Sequence, residues 1–291
     1  CNDYKVTRRR MLAATGASMF GMSVPQLLAA QGTSHAPTAE HVILFWNGGG
    51  MTHLDTWDPK PELTRMDGKR LPTGNLTTER ETGVALALAH DSTRPKRIGV
   101  IGLGTGSLSL FGRKHDNYYF FELNPHVIDI ANDFFYYLRE TAATVEINIG
   151  DGRLLLEKEK ALDLDVLVID AFTGDAIPVH LLTAEAFAIY KRHLAPNGIL
   201  AIHISNLHFD LEPVVRAQAT EMGLISVLVQ SNANESQHLY VADWMLVTDN
   251  IDFLSDPKQQ QYWAPRTKVL DENSLDYLWT DNFSNLFSTL R

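Results

Sequence analysis

From Arg97 onward the chain alternates short β-branched runs with amphipathic helical runs, and it opens that alternation with RIGVIGL followed at once by GTGSL. A run of this kind reads as a strand buried on both faces. Strands separated by helix-length segments call for a mainly parallel sheet with right-handed crossovers. The fold class read from the pattern is therefore α/β, with a doubly wound, Rossmann-like sheet. Strands are expected at Arg97–Leu103, NYYFFELN, TVEINIG, VLVID, Ile199–Ile204, ISVLVQ and YVADWMLVTDN. Helices are expected at Pro125–Leu138, with proline in the first turn, at LLLEKEK, from Thr183 to a turn at APNG, and at Leu211–Gly223. Ahead of them GVALALAH, Gly83–His90, reads as a short apolar helix.

In an open α/β sheet, ligands sit outside the carboxyl ends of the strands. Four strand ends here carry residues suited to that place. After the first, Gly102, Gly104 and Gly106 follow G-x-G-x-G, distinct from the G-x-G-x-x-G dinucleotide fingerprint. Without Cβ atoms this backbone turns tightly and a ligand can lie against it. The second strand ends at Glu122, 20 residues after Gly102, where an acidic residue accepts hydrogen bonds from ribose hydroxyls in nucleotide-binding domains. The third ends in Gly150, Asp151 and Gly152; Asp151 suits either an adenine amino group or the cap of the next helix, and the two roles can coexist. The fourth ends at Asp170, and a carboxylate that closes a buried strand needs partners or a ligand. Asp175, in TGDAIP, lies among turn formers, so a turn role competes with a functional one. His180, His193, His203, His208 and His238 have no metal-ligand spacing and read as surface or core residues.

Charge narrows the ligand class. Residues 66–291 hold 19 Lys/Arg against 30 Asp/Glu. Such a body disfavours nucleic acid and anionic membrane and steers cationic small molecules toward it, although ordinary solubility explains the same excess. The single cysteine, Cys1, excludes an intrachain disulfide and a thiolate metal cluster. The chain does not begin with Met, so its start reads as processed or truncated. Thr7–Ala30 contains three arginines and a mildly apolar run ending in small residues, the layout of a twin-arginine export signal. Gly16, Gly21 and Pro25 interrupt that run and argue against a membrane span. The organisation expected is a signal at 1–30, a leader or linker at 31–65, a short N-terminal segment at 66–96 and a nucleoside-binding catalytic domain at 97–291.

Two resemblances add to this. His41–Glu62, HVILFWNGGGMTHLDTWDPKPE, together with the twin-arginine segment, resembles the start of an exported family of unknown function related to the alkaline phosphatase and sulfatase superfamily. That resemblance would make His53 and Asp55 metal ligands, but a lone pair leaves a metal mostly uncoordinated, so no metal site is expected. From Gly83 to the end, the stretches RIGVIGLGTGSL, YYFFELNP, INIGDGRLLLE, DVLVIDAFTGDAIPVHLLTAEAF, HLAPNGILAIHISN and WTDNFSNLF resemble the spermidine synthase family. They are most similar to the catalytic domain that bacterial proteins carry fused to a transporter-like membrane region.

This second resemblance implies a class I methyltransferase-like fold and transfer of an aminopropyl group from decarboxylated S-adenosylmethionine to putrescine or a related amine. It implies that Gly102, Gly104, Gly106 and Gly152 line the donor, that Glu122 holds its ribose and Asp151 its adenine. Asp170 matches the family's catalytic aspartate, Asp175 would anchor an ammonium of the acceptor, and a homodimer is implied. Departures stand beside the matches. Thr105 occupies a position where the family's glycine-rich motif carries aspartate, and Asp170 and Asp175 are five residues apart where the family has three. The N-terminal β-domain that shapes the family's amine pocket has no clear counterpart in TERETGVALALAH. Methyl transfer from intact S-adenosylmethionine, a nucleoside-binding module without turnover, and an exported hydrolase are the alternative readings. Localisation divides between the cytoplasm, where the donor is made, and export, which the leader requests.

Overall fold

A computed structural model describes residues 82–91, 93–172, 177–206, 208–231, 242–263 and 277–291. The leader, the linker with His53 and Asp55, Asp175 and His238 lie outside the described residues. Helix α1 (Gly83–Ala89) precedes strand β1 (Arg97–Ile101), a 3₁₀ turn at Ser107–Phe111, β2 (Asn117–Glu122), α2 (Pro125–Phe134), α3 (Tyr137–Glu140) and β3 (Thr144–Ile149). The second half runs α4 (Gly152–Lys158), β4 (Leu164–Ile169), α5 (Ala184–His193), β5 (Leu194–His203), α6 (Glu212–Glu221), β6 (Ile225–Ser231), β7 (Ala242–Thr248), α7 (Ile251–Ser255) and α8 (Pro257–Gln260). Among the described residues no helix is long and apolar enough to cross a membrane.

The strands form one seven-stranded sheet among the described residues, ordered β3-β2-β1-β4-β5-β7-β6. Every pairing from β3 to β5 is parallel, whereas β7 runs antiparallel to both β5 and β6. This is the class I methyltransferase-like arrangement of an α/β sheet. The chain builds outward from β1 to β3, then returns to lay β4 against the other side of β1. The order reverses between β1 and β4, and such a switch point opens a crevice at the carboxyl ends of those two strands.

The pleat explains why the central strands read as unbroken apolar runs. Leu167 and Ile169 of β4 face a core completed by α4, α5 and α6, with Leu156, Phe187, Tyr190, Val214 and Val215. Val166 and Val168 face the opposite core, with Val84 and Leu86 of α1, Ala131 of α2 and Phe253 of α7. Successive side chains point to opposite faces, so a strand covered on both needs apolar residues at every position. Trp279, from the C-terminal segment, is fully buried in the first core, and its carbonyl accepts from the Ala184 N–H at 2.8 Å.

Three local departures from expectation have physical causes. The helix expected over Pro125–Leu138 breaks into α2 and α3 at Phe135, whose backbone is extended (φ −116°, ψ 158°). The break lets Tyr137 bury itself and stack on Phe135 at 5.9 Å. The turn expected at APNG lies within β5: Leu194 still pairs with Leu164 before the register shifts to Val166↔Ile199. The extra residues bulge, with Asn197 at φ 64°, a left-handed conformation that asparagine tolerates. The strand expected to reach Leu103 ends at Ile101, because Gly102 already turns at φ 100°.

Candidate active site

A cavity of about 300 Å³ sits at the switch point, lined by residues from the carboxyl ends of β1, β2, β3 and β4. Gly102, Gly104, Glu122, Asp151, Gly152 and Asp170 all line it, although they are scattered over 69 positions of sequence. Gly106 is not among the lining residues; it is buried against Leu138, whose side chain would lie 2.8 Å from a Cβ. Asp175 lies outside the described residues.

Glycine at 102 is dictated by how closely the β1 loop passes β4. A Cβ there would stand 2.3 Å from the Asp170 carbonyl oxygen, and the backbone is at φ 100°. At Gly152 a Cβ would stand 2.8 Å from Ile101, so this glycine serves close packing of α4 against the sheet.

Glu122 braces the loops on either side of it. Its Oε2 accepts from the Leu103 N–H at 3.0 Å and its Oε1 from the Asn124 N–H at 2.8 Å. Each carboxylate oxygen has a second lone-pair direction, so the group retains capacity for hydroxyl donors. Asp151 is the N-cap of α4, with Oδ1 accepting from the Leu154 N–H at 3.0 Å, while Oδ2 lies 3.0 Å from His180 Nε2. Asp170 has Oδ1 2.8 Å from His203 Nδ1, and among the described residues Oδ2 has no partner.

Two of the histidines read as surface or core residues also touch the candidate site. His180 lines the cavity against Asp151, and His203 holds Asp170. His193 does take a core role: it is buried, Nε2 lies 2.7 Å from the Leu156 carbonyl, and desolvation pushes its pKa below the ordinary value. His208 is exposed.

Arg153, to which the sequence alone assigns no role, ties the rim together. Its guanidinium grips Asp281 with two hydrogen bonds, at 2.7 and 2.5 Å, and donates to the His180 carbonyl at 2.6 Å. The bidentate contact raises the Arg153 pKa and holds the Asp281 carboxyl below the ordinary range, with the Thr183 hydroxyl assisting. The loop carrying His180 is thus anchored to the C-terminal segment.

Three carboxylates and one histidine are the ionisable groups of the described lining, with no Lys or Arg among them. Such a crevice suits a nucleoside whose other end is cationic. The polyamine aminopropyltransferase of Vibrio vulnificus is 32% identical over 114 residues, 37% of this chain and 37% of that protein. The chain resembles the polyamine aminopropyltransferases.

The aminopropyltransferase of Chromobacterium violaceum is 35% identical over 111 residues, 36% of this chain and 41% of its own length. The chain thus spans well under half the length of these curated aminopropyltransferases. A probable spermidine synthase from Corynebacterium glutamicum superposes with a TM-score of 0.46 at 20% identity, covering 58% of this chain and 61% of that one. Separately, residues 39–109 match a family model described as a protein of unknown function (DUF1501). That match covers His41–Glu62, where a resemblance to a family of unknown function was anticipated, and it extends further, through β1 and the glycine-rich loop.

Proposed function

We propose that this chain is an aminopropyltransferase of the spermidine synthase type, using decarboxylated S-adenosylmethionine as co-substrate and putrescine or a related amine as acceptor. The observation that carries the reading is Asp170: a carboxylate at the switch point, with one oxygen engaged and the other without a partner among the described residues, in an acidic cavity. Similarity to the aminopropyltransferases over about a third of the chain supports it.

In this reading the backbone at Gly102, Gly104 and Gly152, which lines the cavity, lies against the nucleoside, Glu122 accepts from the ribose hydroxyls and Asp151 from the adenine amino group. Asp151 Oδ2 then serves the base and His180 in common, or exchanges one for the other. The acceptor enters as an ammonium, which has no lone pair. Its proton passes to Asp170 Oδ2, and the freed nitrogen attacks the methylene next to sulfur. The C–N bond forms as the C–S bond breaks, and that electron pair goes to sulfur. The products are neutral methylthioadenosine and a secondary ammonium. A sulfonium is already a good leaving group, so the protein supplies alignment and a proton acceptor. Asp175, in this reading, anchors the acceptor's distal ammonium.

One feature favours a second reading. Thr105 is neutral where the spermidine synthase pattern has aspartate, which removes a charge that would repel the carboxylate of intact S-adenosylmethionine. Calorimetry with the full chain separates the two. Aminopropyl transfer predicts that decarboxylated donor binds about tenfold or more tightly than the intact one, a gap of about 1.4 kcal/mol. The reverse ranking would favour methyl transfer.

A further inference from the structure

The residue behind Asp170 is held with more care than a core histidine needs. β4 and β5 are parallel neighbours with Ile169 opposite Ile202, so the next residues, Asp170 and His203, leave the sheet side by side. His203 Nδ1 lies 2.8 Å from Asp170 Oδ1 and Nε2 lies 2.9 Å from Ser205 Oγ. Ser205 Oγ in turn accepts from the Asp243 N–H at 2.8 Å. A backbone amide can only donate, which leaves the serine's own hydrogen free to face Nε2. Whether Nε2 accepts that hydrogen or carries one of its own, Nδ1 carries the hydrogen that faces the carboxylate.

The ring is also fixed in plane and tilt. It stacks on Trp244, its direct cross-strand neighbour on β7, at 4.6 Å and 7°. The Phe172 ring meets it edge-on at 4.9 Å and 77°. Trp244 is buried, and Phe172 lines the cavity. The imidazole therefore has neither rotational nor tautomeric freedom toward Asp170.

We infer that His203, oriented by Ser205 and Trp244, is a positioning residue that locks the Asp170 carboxylate by binding Oδ1 and so presents Oδ2 to the substrate amine. The inference rests on the aminopropyl-transfer reading for its catalytic consequence, but not for the hydrogen bond itself. A carboxylate free to rotate about its last torsion presents two equivalent oxygens over a broad arc. One whose Oδ1 is pinned presents a single proton acceptor in one direction. Misplacement of a reacting group by about 1 Å costs on the order of 10²-fold in rate.

Four variants of the full chain test it: His203→Ala, His203→Phe, His203→Asn and His203→Gln. Asparagine brings an amide N–H near the place of Nδ1, glutamine reaches only toward Nε2, and phenylalanine keeps the stack on Trp244 without a donor. Alanine and phenylalanine should each lower kcat by roughly 30–100-fold with little change in KM or in the Kd for methylthioadenosine. Asparagine should recover about tenfold of that loss, and glutamine should not. Activity in the phenylalanine variant equal to wild type, or equal losses in all four accompanied by lost methylthioadenosine binding, would overturn the inference. A proton NMR readout keeps it independent of turnover. Wild type should show a downfield Nδ1–H resonance that disappears in Asp170→Ala, even if no transfer is found. Its absence from wild type would sink the positioning role while leaving aminopropyl transfer standing.

Discussion

Replacing Asp170 with asparagine should lower kcat for aminopropyl transfer by about 10²–10⁴-fold, the usual contribution of general base catalysis, and leave methylthioadenosine binding within about threefold. The substitution is nearly isosteric. Its amide oxygen can still accept from His203 Nδ1, 2.8 Å away in the wild type, so the side chain keeps its place. The NH₂ group takes the position of Oδ2, where it donates and cannot receive a proton from an ammonium. The donor contacts proposed for the glycine loop, Glu122 and Asp151 come from other strands and are left intact. Steady-state kinetics and calorimetry on the same preparation check both halves. Loss of binding together with loss of rate would instead make Asp170 a scaffold for the crevice.

The second large effect is expected at Gly102. Alanine there must relieve a 2.3 Å contact with the Asp170 carbonyl oxygen and a 2.9 Å contact with its carbonyl carbon, both rigid backbone. It must also sit at φ 100°, which L side chains rarely adopt. Conformational strain and overpacking of about 1–3 kcal/mol each give a loss of roughly 2–6 kcal/mol in unfolding free energy. The β1 loop can yield only by moving away from β4, which widens the crevice between the glycine turn and Asp170. Methylthioadenosine affinity should therefore fall by about tenfold or more, since 1.4 kcal/mol already suffices. Gly223→Ala is the control. Gly223 is at φ 67° with nothing within 4 Å of a Cβ, so it carries conformational strain alone, on the order of 1–2 kcal/mol, and should not touch binding. Urea unfolding and calorimetry of the two variants distinguish a local steric requirement from general intolerance of the loop.

The central sheet was legible because strands buried on both faces leave continuous β-branched runs, and parallel strands bring their carboxyl ends to one edge. That rule alone gathers Gly102, Glu122, Asp151 and Asp170 into one crevice before any contact is known. The antiparallel strand was less legible, although a signal existed. Only residues 232–241 separate β6 from β7, with no helical pattern between them, whereas a parallel neighbour needs a crossover of a dozen or more residues. The partners of the site were hidden for a different reason. His203 meets Asp170 across 33 residues and Arg153 meets Asp281 across 128. Pairings of that kind are set by strand register and by where the C-terminal segment docks, neither of which a local motif encodes. Gly106 shows the converse: a residue inside the motif whose place is fixed by packing on Leu138, away from the cavity.

The most direct test is to incubate the full chain with decarboxylated S-adenosylmethionine and putrescine and to quantify both products by mass spectrometry. Aminopropyl transfer predicts methylthioadenosine and aminopropylated amine in equal amounts, both abolished in Asp170→Asn. Methylthioadenosine without aminopropylated amine, or a methylated product from intact S-adenosylmethionine in its place, would contradict it.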